Sequence, residues 1–210
     1  MTKLKTIITE LVHHLPYSAT GVAASLGILL AVEKMDWSYL PTNFFHIAHP
    51  LHIFLSAVVT TAIFWKYNHT WFKTVLVGLL GTIPICTISD IGMPYLGGWW
   101  LKTPIVFHLC VLEEPWLVFP AAAAGIAVGM FLLDWVENGT EITHLAHVLV
   151  SSLASLLYLV TFDPSLWQNS LWLVFSITVL AVWIPCCLSD IVFPLLFTDN
   201  PHAGCHHHHH

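Results

Sequence analysis

Ile83-Pro84-Ile85-Cys86-Thr87-Ile88-Ser89-Asp90-Ile91-Gly92-Met93-Pro94 returns near the C-terminus as Ile184-Pro185-Cys186-Cys187-Leu188-Ser189-Asp190-Ile191-Val192-Phe193-Pro194. Both stretches carry Ile-Pro, a cysteine, Ser-Asp-Ile and a closing proline, and the second is shorter by one residue. An acid and a thiol recurring in strongly apolar surroundings point to an internal duplication built around a polar site.

Of the 210 residues 57% are hydrophobic and only 9% charged, and the mean hydropathy is +0.77. Soluble domains carry roughly 25% charged residues, so the expected class is an integral membrane protein with the lipid bilayer as its solvent. An all-α fold follows, because in lipid every backbone N–H and C=O must be satisfied within its own segment. There is no Arg, and the six Lys all lie at or before Lys102. That leaves no basic surface, and nucleic acid is excluded as a partner. His206 to His210 read as an expression tag and are set aside. Cys86, Cys110, Cys186 and Cys187 fall in or beside apolar segments and read as buried thiols rather than a disulfide framework. Nothing at the N-terminus resembles a cleavable signal, so the first segment is expected to be retained.

A crossing takes about 20 apolar residues. Six runs qualify: Leu11–Val32, Phe44–Trp65, Phe72–Leu96, Trp116–Val136, His144–Phe162 and Leu171–Phe197. Short connections are expected at Asp36–Asn43, Lys66–Trp71, Gly97–Pro104, Glu137–Glu141 and Asp163–Asn169, with Trp and Tyr gathered near them as an aromatic belt. With the N-terminus inside, Lys3, Lys5, Lys66 and Lys73 share the inner side against Lys34 and Lys102 outside. This favours cytoplasmic termini and a plasma or inner membrane.

The duplication extends beyond the opening stretch. His46-Ile47-Ala48-His49 matches His144-Leu145-Ala146-His147, and Glu10, six residues before Pro16, matches Glu114, six before Pro120. The expected organisation is therefore a repeat over 1–104, a second over 105–201, and a tail over 202–210. Three crossings per repeat is odd, so the second repeat enters from the opposite side, as in many secondary transporters.

That inversion places His46, His49, Asp90 and Glu114 toward one face and His144, His147, Asp190 and Glu10 toward the other. His-x-x-His on a helix puts both rings on one side, close enough to share a ligand. Imidazole with carboxylate suits a divalent transition metal such as zinc, iron, manganese, cobalt or nickel. Second in rank stand Cys86, Cys186, Cys187, His52, His108, His13, His14, Ser89 and Ser189; interfacial or capping roles compete for each of these histidines and serines. Pro84 and Pro185 each remove a backbone hydrogen bond and are expected to kink their helices just before the Ser-Asp pair. The small residues Gly21–Gly27 and Ala121–Gly129 are expected to form the seam between repeats, a homodimer seam being the rival use.

These features favour a small transporter or channel for a divalent metal ion. A membrane-embedded metalloenzyme, hydrolase or di-iron oxidase, is the alternative. It would need the histidine sets at one depth, since a dinuclear centre spans only about 4 Å. A two-haem electron carrier is a third reading, opposed by the lack of Arg for haem propionates, and a purely structural role is a fourth.

Overall fold

The computed structural model describes residues 3–32, 40–103, 105–131, 140–162, 165–193 and 197. Among them the only regular structure is helical: α1 (Lys3–Val32), α2 (Leu40–Tyr67), α3 (Trp71–Thr87), α4 (Met93–Trp100), α5 (Cys110–Glu113), α6 (Pro115–Phe131), α7 (Thr140–Phe162) and α8 (Ser165–Cys187, bent at Ser170). A π-helical turn at Ile88–Gly92 joins α3 to α4, and another at Leu188–Val192 extends α8.

Four helical stretches are long and apolar enough to cross a membrane: His14–Val32, Asn43–Tyr67, Trp71–Trp100 and Ser170–Asp190. Pro115–Phe131 and Leu145–Val160 are apolar but shorter. Seventeen residues at 1.5 Å each reach about 25 Å, a little under a hydrocarbon core of about 30 Å. The six runs expected from the sequence each overlap one of these helical stretches.

The third stretch is longer than expected, because Gly97-Gly98 lie inside α4 rather than in a loop. A Cβ on Gly97 would come within 2.5 Å of Ile177 Cγ2, and one on Gly98 would collide with Ile105 Cδ1. These glycines serve close packing, and the helix ends only at Trp100, capped by Leu101. At Lys102, just beyond, φ is +59°, and the N–H groups of Lys102 and Thr103 donate to Trp99 and Gly98 carbonyls at 3.1 and 3.0 Å. That is a Schellman closure in which lysine occupies the place usually given to glycine.

α2 and α7 pack side by side at the centre, with α6 against α2 and α1 against α7. Small residues make both approaches possible. A Cβ on Gly129 would sit 2.6 Å from the Val58 carbonyl oxygen, and one on Gly21 would sit 2.8 Å from Val148 Cγ1. The expected seam of small residues thus joins α6 to α2 and α1 to α7. Around it lie Val22, Phe45, Ile53, Val118, Ala122, Ala154, Leu157 and Tyr158, all buried. The same interior buries Ser56, Thr60, Ser89, Ser151, Ser155 and Ser189, so it requires a polar explanation.

Candidate metal centre

The two π turns present the aspartates. Each turn has its Asp as middle residue, Asp90 in Ile88–Gly92 and Asp190 in Leu188–Val192. The prolines lie inside the helices, and the irregularity falls three to four residues after them. A π turn takes one residue more than an α turn and recurs at functional sites. Here it swings a carboxylate into the interior while flanking residues keep helical dihedrals (Thr87 φ −62°, ψ −40°; Met93 φ −67°, ψ −45°).

Asp90 meets α2. Its Oδ2 accepts from His49 Nδ1 at 2.8 Å and from His52 Nδ1 at 2.7 Å. Asp190 meets α7, where Oδ2 accepts from His147 Nδ1 at 2.6 Å. The far nitrogens of the two helices then face each other, His52 Nε2 lying 2.8 Å from His147 Nε2. The result is one buried chain, Asp90–His52–His147–Asp190, with every member at most 1% exposed. Burying two carboxylates is costly unless each is paired and hydrogen-bonded, and the imidazoles supply those bonds.

Serines brace the chain by matching contacts. Ser56 Oγ lies 2.7 Å from Ser189 Oγ, and Ser151 Oγ lies 3.2 Å from Ser89 Oγ. One turn further on, Thr60 Oγ1 donates to the Ser189 carbonyl and Ser155 Oγ to the Ser89 carbonyl, both at 3.1 Å. The partners of α2 in these contacts stand 95 positions before those of α7: His52 and His147, Ser56 and Ser151, Thr60 and Ser155.

Two thiols complete the centre. Cys86 and Cys186 each place Sγ 3.8 Å from His52 Nε2. Donor atoms of His52, His147 and Cys186 lie within 4.8 Å of one another, a group able to hold a metal ion. With both Nδ1–H groups donating to carboxylates, both Nε2 atoms are lone-pair acceptors. Two lone pairs at 2.8 Å repel unless a proton or a metal cation is shared between them. A tetrahedral zinc with Zn–N near 2.0–2.1 Å needs roughly 3.3 Å between its nitrogens, so the rings would part by about half an ångström to admit one. Carboxylates on the far imidazole nitrogens are the usual outer partners of metal-bound histidine. The donor set therefore fits zinc or another thiophilic ion better than manganese, which prefers oxygen. The 2.8 Å contact leaves no gap for a porphyrin between these two rings.

A second group able to hold a metal ion lies where α5 and the start of α6 meet α2: His46, His108, Cys110 and Glu114. His46 Nδ1 is 2.7 Å from Glu114 Oε2, with both side chains about a quarter exposed (24% each), and His108 Nδ1 is 2.7 Å from Glu113 Oε2. Tyr158 fixes the loop before α5, its Oη donating to the Val106 carbonyl at 2.9 Å and accepting from His108 N–H at 3.2 Å. Burial, then the Glu114 carboxylate, pushes the Cys110 thiol up to about 12, so a cation binding there must displace its proton.

The expectation of two separate half-sites is thus corrected: His49 and Asp90 belong to the same buried network as His147 and Asp190. His52, placed second in rank, is its pivot, and Cys86 and Cys186 stand beside it. Cys110, read only as a buried thiol, joins His46, Glu114 and His108. Cys187 is buried, and His14 is partly buried with its ring 6.3 Å from Tyr17. The side chains of Glu10, His13 and His144 lie outside the described residues. His52 had a legible signal, since His52-x-x-x-Ser56 and His147-x-x-x-Ser151 are the same motif. No protein family, characterised protein or solved structure matches this chain.

Proposed function

We propose that the chain is a small membrane transporter that binds one zinc-like divalent ion at its centre, between two inverted three-helix repeats. The observation that carries this reading is the 2.8 Å approach of His52 Nε2 to His147 Nε2, each ring held from behind by a carboxylate. Each repeat then contributes the same parts: one His whose Nε2 faces the centre, one Asp, one Cys and three hydroxyl residues.

The matching Ser56–Ser189 and Ser151–Ser89 contacts support the inverted repeat, because each joins the second helix of one repeat to the π turn of the other. So does the swapped packing of α6 on α2 and α1 on α7. A site on the axis between inverted repeats, next to irregular helix turns, is where alternating-access carriers bind their ion. Rocking one repeat against the other exposes the centre to each side in turn, with both termini cytoplasmic.

The meeting of the histidine sets at one depth favours a second reading, a membrane-embedded metalloenzyme. Against a di-iron oxidase stands the use of both carboxylates as partners of Nδ1, where bridging ligands would be needed. The test uses full-length protein freed of its terminal histidines. Zinc should bind it, and reconstituted vesicles should take up zinc. Uptake should fall to background in His52→Ala with Cys186→Ser, and one equivalent of bound zinc should be lost. An unchanged zinc stoichiometry in this double variant would overturn the central site. Tight binding without uptake would overturn transport and leave the enzyme reading.

A further inference from the structure

We propose that His46, His108, Cys110 and Glu114 form a second divalent-metal site, and that it loads the central one along the His46–His49–His52 face of α2. This rests on the central metal site proposed above and adds the route by which it fills.

The four donors converge within 4.8 Å and come from four successive places: α2, the segment leading into α5, α5 itself and the α5–α6 junction. Their hydrogen bonding is incomplete in a way that a cation would repair. His46 Nδ1 and Glu114 Oε2 approach to 2.7 Å, yet neither buried atom makes a hydrogen bond of proper geometry. Among the described residues, His108 Nε2 is buried without a hydrogen-bond partner. The His46 and His108 rings meet edge to face at 5.5 Å, and Tyr158 holds the backbone of His108 in place. Imidazole, thiol and carboxylate together are a borderline donor set, suited to zinc or cobalt.

The path inward is marked by the same deficiency. His49 is fully buried, its Nδ1 is bound to Asp90, and its Nε2 has no partner. It stands one turn beyond His46 and one before His52, and each three-residue step advances about 4.5 Å along the axis. An imidazole with a free nitrogen at that spacing can accept an ion from the first rung and release it to the third. Phe45 stacks on the His49 ring at 5.5 Å and keeps it oriented.

Cobalt is the probe, because thiolate ligation gives it intense near-ultraviolet charge-transfer bands. Full-length protein without the terminal histidines should bind two equivalents of Co²⁺. His108→Ala with Cys110→Ser should bind one and keep the bands of the central site, whereas His52→Ala with Cys186→Ser should bind one and keep those of Cys110. Circular dichroism and a single gel-filtration peak establish that each variant is folded. One equivalent in the parent, lost in His52→Ala with Cys186→Ser but kept in His108→Ala with Cys110→Ser, would overturn the second site and leave the central one standing. One equivalent lost only in His108→Ala with Cys110→Ser would overturn the central reading instead. For the route, His49→Asn keeps a donor toward Asp90 but removes the free nitrogen. It should bind both equivalents while filling of the central site, followed by stopped-flow, slows by roughly tenfold or more, the lower end of what loss of a metal-supporting group costs. Filling at the parent rate would exclude His49 as the relay.

Discussion

The two groups able to hold a metal ion are built from the same kinds of side chain and differ in how they are held. At the centre every imidazole that points toward the ion position has its other nitrogen on a buried aspartate, and both aspartates sit on π turns of long helices. At the end of α2, His46 and His108 face Glu114 and Glu113, side chains 24% and 54% exposed, one of them on a helix of only four residues. The first arrangement is pre-organised and dry, which favours tight and selective binding. The second is partly exposed and incompletely hydrogen-bonded.

The largest expected effect falls on the centre. His147→Ala takes from Asp190 the imidazole at 2.6 Å, and removing the partner of a buried carboxylate costs about 3–5 kcal/mol. Thermal unfolding in detergent should show that loss together with loss of the central metal. A shift no larger than that of His46→Ala would erase the contrast between the groups.

Asp90→Asn is the next step down. The amide oxygen can still accept one bond, but the charge that raises the basicity of His52 is gone, so metal affinity should fall by roughly 10–100-fold. Competition against a calibrated chelator measures it, and Glu114→Gln should lower affinity at the centre far less.

Tyr158→Phe sharpens the comparison from the other end. It removes the hydroxyl that joins Val106 and His108, at about 1 kcal/mol for one net hydrogen bond. Metal at the α5 group should weaken while the central group is unchanged. A central loss of equal size would show that the two are one mechanical unit.

Glu114→Gln is expected to be the mildest change in stability. Partly exposed ion pairs contribute at most about 1 kcal/mol, so unfolding should move within that bound and the second metal equivalent should weaken. A larger destabilisation would mean that Glu114 is a structural strut and not a ligand.

The helical class, the apolar runs and the two Ser-Asp stretches were legible because each rests on composition or on an unusual motif. The pivot of the centre was misplaced by a slip of register. The string His-x-Ala-His matches His46–His49 with His144–His147 and draws the eye to identical letters. The contacts instead pair His52 with His147, three residues along. On a helix, positions three apart share a face, so side-chain patterning alone cannot separate the two alignments. They differ in depth by about 4.5 Å, a small part of a hydrocarbon core of about 30 Å; the separation into two faces came from reading both histidine pairs as the starts of helices that enter from opposite sides. What distinguishes the two alignments is the next turn, where a hydroxyl follows His52 and His147 by four residues and again by eight. Those hydroxyls matter only through contacts with the two π turns, which no single segment displays. The group at α5 was legible in part, since His46 and Glu114 stood in one expected set and lie 2.7 Å apart, whereas the backbone of His108 is held by Tyr158, some fifty residues away in sequence.

The π turns have one more consequence. Asp90 follows Pro84 by six residues and Asp190 follows Pro185 by five, so the two prolines sit about 100° apart in phase relative to their acids. Yet both acids occupy the middle of a wide turn and reach the same kind of imidazole. The wide turn stores one surplus residue where the carboxylate must be aimed, while the residue by which the two copies differ lies ahead of it, in 85–87 against 186–187. Deleting one residue from Leu188–Val192 would tighten it to an ordinary α turn in phase with the helix before it, and swing the carboxylate off the axis on which the two imidazoles meet.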